Sequence, residues 1–214
     1  MMRTFPVFNA TQQRFQIFKQ EVSKFINDNI NILSAPSGLM PELECQGFNK
    51  YSGVKITALD LDAKLQNMLS DKYKGTEFHG LYNLVLEDVY NISYDNEFDL
   101  VVSNGLNIYI PGYKDVEKLY RLFYSSLNTG GKLITSFLTP PPIFDTSSPW
   151  DLKFLDDDKL KLQKNVFIDV LNITWNCYMS EKTFIKLLED VGFCNISIIW
   201  DKCKIFPTVI CYKS

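Results

Sequence analysis

Five short apolar runs, each closing on a turn or on acids, constrain this chain more than any other feature. They are Ile30–Ala35, residues 53–62 (GVKITALDLD), 81–89 (LYNLVLEDV), 98–106 (FDLVVSNGL) and 132–138 (KLITSFL). Each is rich in aliphatic and β-branched residues and too short for a buried helix, so each predicts a strand. Helical segments separate them. Ala63–Asp71 is one. Asp115–Leu127 is another, with Val116, Leu119, Tyr120, Leu122 and Phe123 on its apolar side and Asn128-Thr-Gly-Gly as a stop signal. Near-continuous apolar strands alternating with helices imply a parallel sheet covered on both faces. Right-handed crossovers make that sheet open and doubly wound.

Two further segments flank this alternation. Residues 11–28 place Phe15, Phe18, Val22, Phe25 and Ile26 at helical spacing, which predicts a core-facing helix. After residue 139 the pattern breaks into TPPPIFDTSSPW, whose prolines force an extended path. Residues 156–175 read as helical, and Ser180 can cap a helix over 181–191 that stops at Gly192. FCNISIIW and FPTVICYK then predict two strands, antiparallel neighbours joined by a short polar turn at Asp201–Lys204. The organisation expected is one domain over residues 1–214. It carries an N-terminal helical segment at 1–29 and an insertion at 139–178 before the last helix and two strands.

Composition narrows the functional classes. Hydrophobic residues make up 46% of 214, which suits one domain with a sizeable core. The formal charge is −3 with no basic run, so binding to nucleic acid through phosphates is not indicated. No apolar window is long enough for a membrane span, and no signal-peptide pattern opens the chain. The five cysteines form no CxxC pair, and His79 is the single histidine, which argues against a zinc site. Reduced cysteines fit a cytoplasmic protein. No GxSxG elbow, P-loop or EF-hand occurs. The acids Asp156–Asp158 are adjacent in a helix start and do not converge on a metal.

In a doubly wound sheet, ligands sit beyond the carboxyl ends of the strands. The punctuation falls there, at Ala35–Leu39, Asp60, Asp88 and Ser103–Gly105. Asp60 follows Gly38 by 22 residues, close to the interval at which a strand-end acid reaches a ribose diol. A carboxylate accepts both hydroxyl protons. Spacing alone does not separate S-adenosylmethionine from NAD, but GxGxxG is missing. NAD needs backbone close to a pyrophosphate, whereas S-adenosylmethionine has no phosphate. Asp62 is the better candidate to cap the following helix, and Asp99 reads as structural.

These motifs, in this order, resemble the class I S-adenosylmethionine-dependent methyltransferases over about residues 12–213. INILSAPSGLM stands at the glycine-rich first motif, with Ser34, Pro36 and Met40 in place of its acid, first glycine and third glycine, so only Gly38 keeps its position. ALDLD stands at the acidic end of the second strand, and EDVY where an acid and an apolar neighbour frame the adenine. FDLVVSNGLNIYI resembles the fourth-strand motif, LNTGGKLITSF the fifth and EDVGFCNISI the approach to the sixth. PSGLMPEL, SNGLNIYI and SFLTPPP look more narrowly like a bacterial subset with a degenerate first motif.

The resemblance implies a Rossmann-like, mainly parallel seven-stranded sheet with an antiparallel last strand and helices on both faces. It implies methyl transfer from S-adenosylmethionine, with S-adenosylhomocysteine as product, to a small-molecule acceptor. The implied cofactor-binding residues are Ala35, Pro36, Ser37, Gly38, Leu39, Asp60, Leu61, Asp88, Val89, Tyr90, Ser103, Asn104 and Gly105. By the same resemblance Asp88 accepts from the adenine amino group, while Val89 and Tyr90 line the ring. Tyr109, Trp150, Trp175 and Tyr178 are candidates for the acceptor pocket, the last three serving equally well as core. No general base is assigned. A nucleotide-dependent oxidoreductase and a non-catalytic binding protein on the same fold stay open as alternatives.

Overall fold

The structure is a computed structural model that describes residues 6–151, 153 and 175–214. Residues 156–174 of the expected helix, with the acids Asp156–Asp158, lie outside the described residues, as does much of the expected 139–178 insertion. The described elements are α1 (Pro6–Ser23), β1 (Asn31–Ser34), α2 (Pro41–Glu44), β2 (Lys55–Asp60), α3 (Leu65–Tyr73) and β3 (Tyr82–Leu86). They continue as β4 (Phe98–Ser103), α4 (Tyr113–Ser126), β5 (Leu127–Ser136), α5 (Glu181–Val191), β6 (Phe193–Ile199) and β7 (Thr208–Lys213).

These strands form one seven-stranded sheet in the order β3-β2-β1-β4-β5-β7-β6. The pairs among β1–β5 are parallel, and β7 runs antiparallel to both β5 and β6. The expected sheet is therefore present. Its order reverses between β1 and β4, which is where a doubly wound sheet opens a crevice for a ligand.

Alternation along the strands divides the core. Leu33, Val101 and Leu133 face one layer, where Leu119, Tyr120 and Phe123 of α4 meet Phe184 and Leu188 of α5. Ile32, Leu100, Val102 and Ile134 face the other, against Phe18 and Val22 of α1 and Leu65 and Leu69 of α3. Phe137 and Phe184 stack at 4.4 Å between centroids. Burying a ring of that size contributes on the order of 2–3 kcal/mol. Ser180 caps α5 by accepting the Thr183 N–H at 3.2 Å, as expected. Asp99 is structural, also as expected: its carboxylate accepts the Asn31 N–H at 2.9 Å and the Asn128 side-chain N–H at 2.8 Å, linking β1, β4 and β5.

Four details differ from the sequence reading. The first helix is already present at Pro6, the first described residue, and ends at Ser23, five residues short of the expected 28. The third strand ends at Leu86, so Glu87 and Asp88 lie beyond it. Asn128–Gly131 is no separate turn. β5 starts at Leu127, directly after α4, and its register against β4 shifts between Phe98 and Leu100. The segment between β6 and β7 makes the expected turn, with the Lys204 N–H donating to the Asp201 carbonyl at 3.0 Å and both Lys202 and Lys204 exposed, but Asp201, Cys203, Ile205 and Phe206 are buried. Asp201 makes this possible by accepting backbone N–H bonds from Cys203, Ile205 and Phe206 at 2.9, 3.0 and 2.7 Å. A buried carboxylate bonded this way satisfies both itself and the amides.

Polar links help hold α1 on the rest of the fold. Lys132 of β5 donates to the Glu21 carbonyl at 3.4 Å, and Gln13 Oε1 accepts the Lys202 N–H at 2.8 Å.

Candidate active site

At the strand ends, a cleft of about 310 Å3 opens between the loops after β1, β2, β3 and β4. Seven residues expected at a cofactor line it: Ala35, Pro36, Asp60, Leu61, Asp88, Val89 and Tyr90. Tyr109, expected at the acceptor pocket, lines it too, as do Leu59, Glu87, Leu106 and Ile110, which the sequence reading did not assign. Leu61 is 70% exposed and Tyr109 50% exposed. Large apolar side chains left in water at a concave surface favour a ligand with apolar faces.

The loop after β1 is built by local bonds. Ser37 N–H donates to the Leu59 carbonyl at 2.9 Å, and Gly38 N–H donates to Asp60 Oδ2 at 2.9 Å. Gly38 has φ +47°, and Met40, at φ 46°, tucks its side chain into the core. The other Asp60 oxygen accepts the Asp62 N–H at 3.1 Å. Asp62 in turn accepts the Lys64 N–H at 2.9 Å, which organises the approach to α3. Asp60 is thus a hinge-pin between two loops as well as a cleft acid. A carboxylate offers about four acceptor positions, so two remain for a ligand.

At the end of β3 the acids divide their work. Asp88 caps a short 3-10 turn, accepting the Tyr90 N–H at 2.9 Å on Oδ1. Glu87 accepts from the Asn91 side chain at 2.8 Å and the Asp88 N–H at 2.9 Å, and those bonds hold its carboxyl below the usual range. Tyr90 donates its hydroxyl to the Asp115 carbonyl at 3.0 Å, which pins the ring. Burial, reinforced by Asp115 and Asp88, pushes its phenol up to about 12.

Ser37, Gly38, Leu39, Ser103, Asn104 and Gly105 do not line the cleft and stand behind its walls. Leu39 packs on the core under α1 and α3. Ser103 is buried, and its Oγ, with Asn104 Oδ1, Asn107 Oδ1 and Ser34 Oγ, has no hydrogen-bond partner among the described residues. Buried polar atoms without partners are uncommon and mark a place where a ligand or water completes the bonding. Trp150, Trp175 and Tyr178 pack instead on a small satellite core with Val7, Ala10, Ile108 and Phe206. Trp150 Nε1 donates to Thr139 Oγ1 at 2.8 Å.

One residue beside this site was not singled out from the sequence. Arg14 reaches from α1 to the end of β5, where Nη1 donates to Ser136 Oγ at 3.4 Å, and its guanidinium lies 4.7 Å over the Phe206 ring. Burial pushes it down to about 10, against the opposing pull of Tyr109, Asp201 and Glu42. A signal existed: Arg14 is in helical phase with the buried Val7, Ala10, Phe18 and Val22.

The methyltransferase domain family matches residues 38–135, from the first-motif glycine nearly to the end of β5. A Bordetella parapertussis protein of known structure, described as a possible exported protein, is 33% identical with a TM-score of 0.91. The match covers 98% of this chain and 70% of that one. An S-adenosylmethionine-dependent methyltransferase from Mesorhizobium loti is 15% identical, with a TM-score of 0.63, over 88% of this chain and 93% of its own. A geranyl diphosphate methyltransferase in complex with S-adenosylmethionine is 9% identical, with a TM-score of 0.64, over 95% of this chain and 85% of its own. No curated protein gives a significant match. The match of residues 38–135 to the methyltransferase domain family, with the Rossmann-like fold these structures share, supports the class I S-adenosylmethionine-dependent methyltransferase superfamily. That superfamily is one of transferases, and its cofactor is S-adenosylmethionine.

Proposed function

We propose that this protein transfers a methyl group from S-adenosylmethionine to a small-molecule acceptor. The cofactor's adenosine half would occupy the cleft over β1–β3, and the acceptor would lie on the β4–β5 side. The observation that carries this reading is Asp60, which faces the cleft with acceptor capacity left over after bonding Gly38 and Asp62. Its carboxylate takes the ribose hydroxyls. Asp88 bonds Tyr90 through Oδ1 and leaves its other oxygen for the adenine amino group, with Leu61 and Val89 as apolar flanks. Ser103, Asn104 and Gly105 support the methionine half from behind.

When bound, the cofactor supplies an electrophilic methyl: the acceptor's lone pair forms the new bond, and the C–S electron pair stays on sulfur. The protein's own part is to hold acceptor and methyl in near-attack geometry and keep water out, which Tyr109, Leu106 and Ile110 do at the cleft. A proton on the acceptor, where there is one, needs a base, and the site assigns that role to no residue.

The first loop also separates this cofactor from NAD. A pyrophosphate needs free backbone N–H groups at a helix N-terminus. Here Ser37 and Gly38 N–H are already bonded, and the next helix opens on Pro41 with Glu42 and Glu44 in its first turn. Neither feature offers a phosphate a free donor. The same occupied amides give the non-catalytic alternative its one specific support.

The cytoplasm fits the free cysteines among the described residues, and none of the described helices is long and apolar enough to cross a membrane. Calorimetric titration with S-adenosylmethionine, S-adenosylhomocysteine and NADH tests the reading. Saturable binding of the first two supports it. Binding of NADH alone overturns it, and binding of none points to the non-catalytic scaffold.

A further inference from the structure

The structure assigns to Arg14 the role of an anion receptor on the acceptor side, so that the molecule methylated is a small organic acid whose carboxylate pairs with this guanidinium. The inference rests on the methyltransferase reading and adds a substrate class to it.

Position comes first. Asp60 and Asp88 stand at the ends of β2 and β3, on one side of the point where strand order reverses. Arg14 stands on the other side, against Ser136 at the end of β5 and against Gly105, two residues past the end of β4: Nη1 lies 3.0 Å from where a Cβ on Gly105 would be. With adenosine over β1–β3, the transferable methyl faces this second half. A charge at the β4–β5 ends therefore meets the acceptor.

Unmet bonding comes second. A guanidinium has five N–H donors. Among the described residues Arg14 uses one of them, at 3.4 Å, while its Nε is shut away from solvent with no partner there. No carboxylate among the described residues forms an ion pair with it. Its acidic neighbours are committed elsewhere. Asp201 is bonded by three backbone amides, and burial pushes the Glu42 carboxyl up, which disfavours its charged form. The sequence holds three arginines against 19 lysines, and this one is spent on a core-facing helix position. A buried, seated, under-bonded guanidinium suits a planar carboxylate, which can engage two N–H groups at once.

Its seat is also fixed. Asp201 Oδ2 holds the Phe206 N–H at 2.7 Å, and the Phe206 ring underlies Arg14. Asn107 Oδ1, which has no partner among the described residues, provides a further acceptor for a hydroxyl or amine on the same ligand.

A carboxylate is also present on the cofactor's methionine end, so the experiment must separate the two sources. The protein saturated with S-adenosylhomocysteine is titrated with a panel of small monocarboxylates and their matched primary amides, by calorimetry and thermal shift. The expected result is that at least one carboxylate binds and its amide does not. Arg14→Gln then weakens that carboxylate by about tenfold or more and leaves S-adenosylhomocysteine within about twofold. Carboxylates binding no better than amides overturn the assignment. So does an Arg14→Gln variant that loses S-adenosylhomocysteine but binds 5′-methylthioadenosine, which lacks the carboxylate, as before: the anion is then the cofactor's own. If Arg14→Gln fails to fold by circular dichroism, Arg14→Lys replaces it, with severalfold weaker carboxylate binding and unchanged S-adenosylhomocysteine as the expected result. Failure of the unsubstituted protein to bind S-adenosylhomocysteine sinks the methyltransferase reading itself, and this inference with it.

Discussion

Asp60 Oδ2 accepts the Gly38 N–H at 2.9 Å, and this bond joins the loop after β1 to the end of β2. One carboxylate therefore both builds the cleft and lines it. Asp60→Ala should raise the dissociation constant for S-adenosylhomocysteine by about tenfold or more, the scale of a lost hydrogen bond to a charged acceptor. It should also lower Tm, since two loop amides lose their partner. Calorimetry on a variant shown to be folded checks this, and an unchanged constant would place the ribose elsewhere.

Two glycines with positive φ should respond differently to the same methyl group. Gly38, at φ +47°, has no atom within 4 Å of a built Cβ. Gly105, at φ +85°, would bring a Cβ to 3.0 Å from both Arg14 Nη1 and Ile108 Cδ1. Gly38→Ala carries backbone strain alone, about 1 kcal/mol, or about 2–4 °C in Tm for a domain this size. Gly105→Ala adds a clash and displaces Arg14, so its melting temperature should fall further. Calorimetric melts of the two variants side by side give the comparison.

Glu42 makes stability depend on acid in an unusual direction. Burial raises its carboxyl above the ordinary 4.5, outweighing the pull of Arg14 and Lys72. A group whose folded value is raised contributes stability that is fully present below its unfolded value and lost as pH rises through the folded one. Glu42→Gln removes that dependence. Relative to the unsubstituted protein, the variant should gain stability as pH climbs from 4.5 through the folded value, and the gain should level off above it. Urea denaturation at a series of pH values measures this. A difference that does not change with pH would refute it.

Tyr120 and Thr135 share a buried hydrogen bond of 2.9 Å between α4 and β5. Tyr120→Phe keeps the ring packing against Phe184 and strands the Thr135 hydroxyl. A buried group left unpaired costs about 1–3 kcal/mol. Chemical denaturation should show that loss, and Tyr120→Phe combined with Thr135→Val should recover part of it.

The sheet was legible because its strands carry their signal in single residues: Ile32, Leu33, Leu100 and Val101 are apolar on both faces, as strands covered on both sides must be. Strand-end acids were legible for a similar reason, since polar residues interrupt an apolar run only where the chain leaves the core. What escaped depends on contacts between distant segments. Arg14 looks like an ordinary polar position in a helix until Phe206, 192 residues later, is folded beneath it. The 201–204 stretch reads as polar surface because its sequence does not reveal that Asp201 will satisfy three amides at once. Trp150, Trp175 and Tyr178 were ambiguous between pocket and core because an aromatic side chain suits both, and the structure packs them with Phe206.

The place of β7 between β5 and β6 has a consequence for how the protein is made. Both neighbours leave the ribosome before residues 208–213 do. Until those six residues emerge, the polypeptide under synthesis presents the Lys132–Ser136 edge of β5 with open backbone donors and acceptors. An unpaired edge of that kind recruits other strands. The nascent chain is therefore exposed to mispairing at that edge until β7 slots into the middle of this half-sheet.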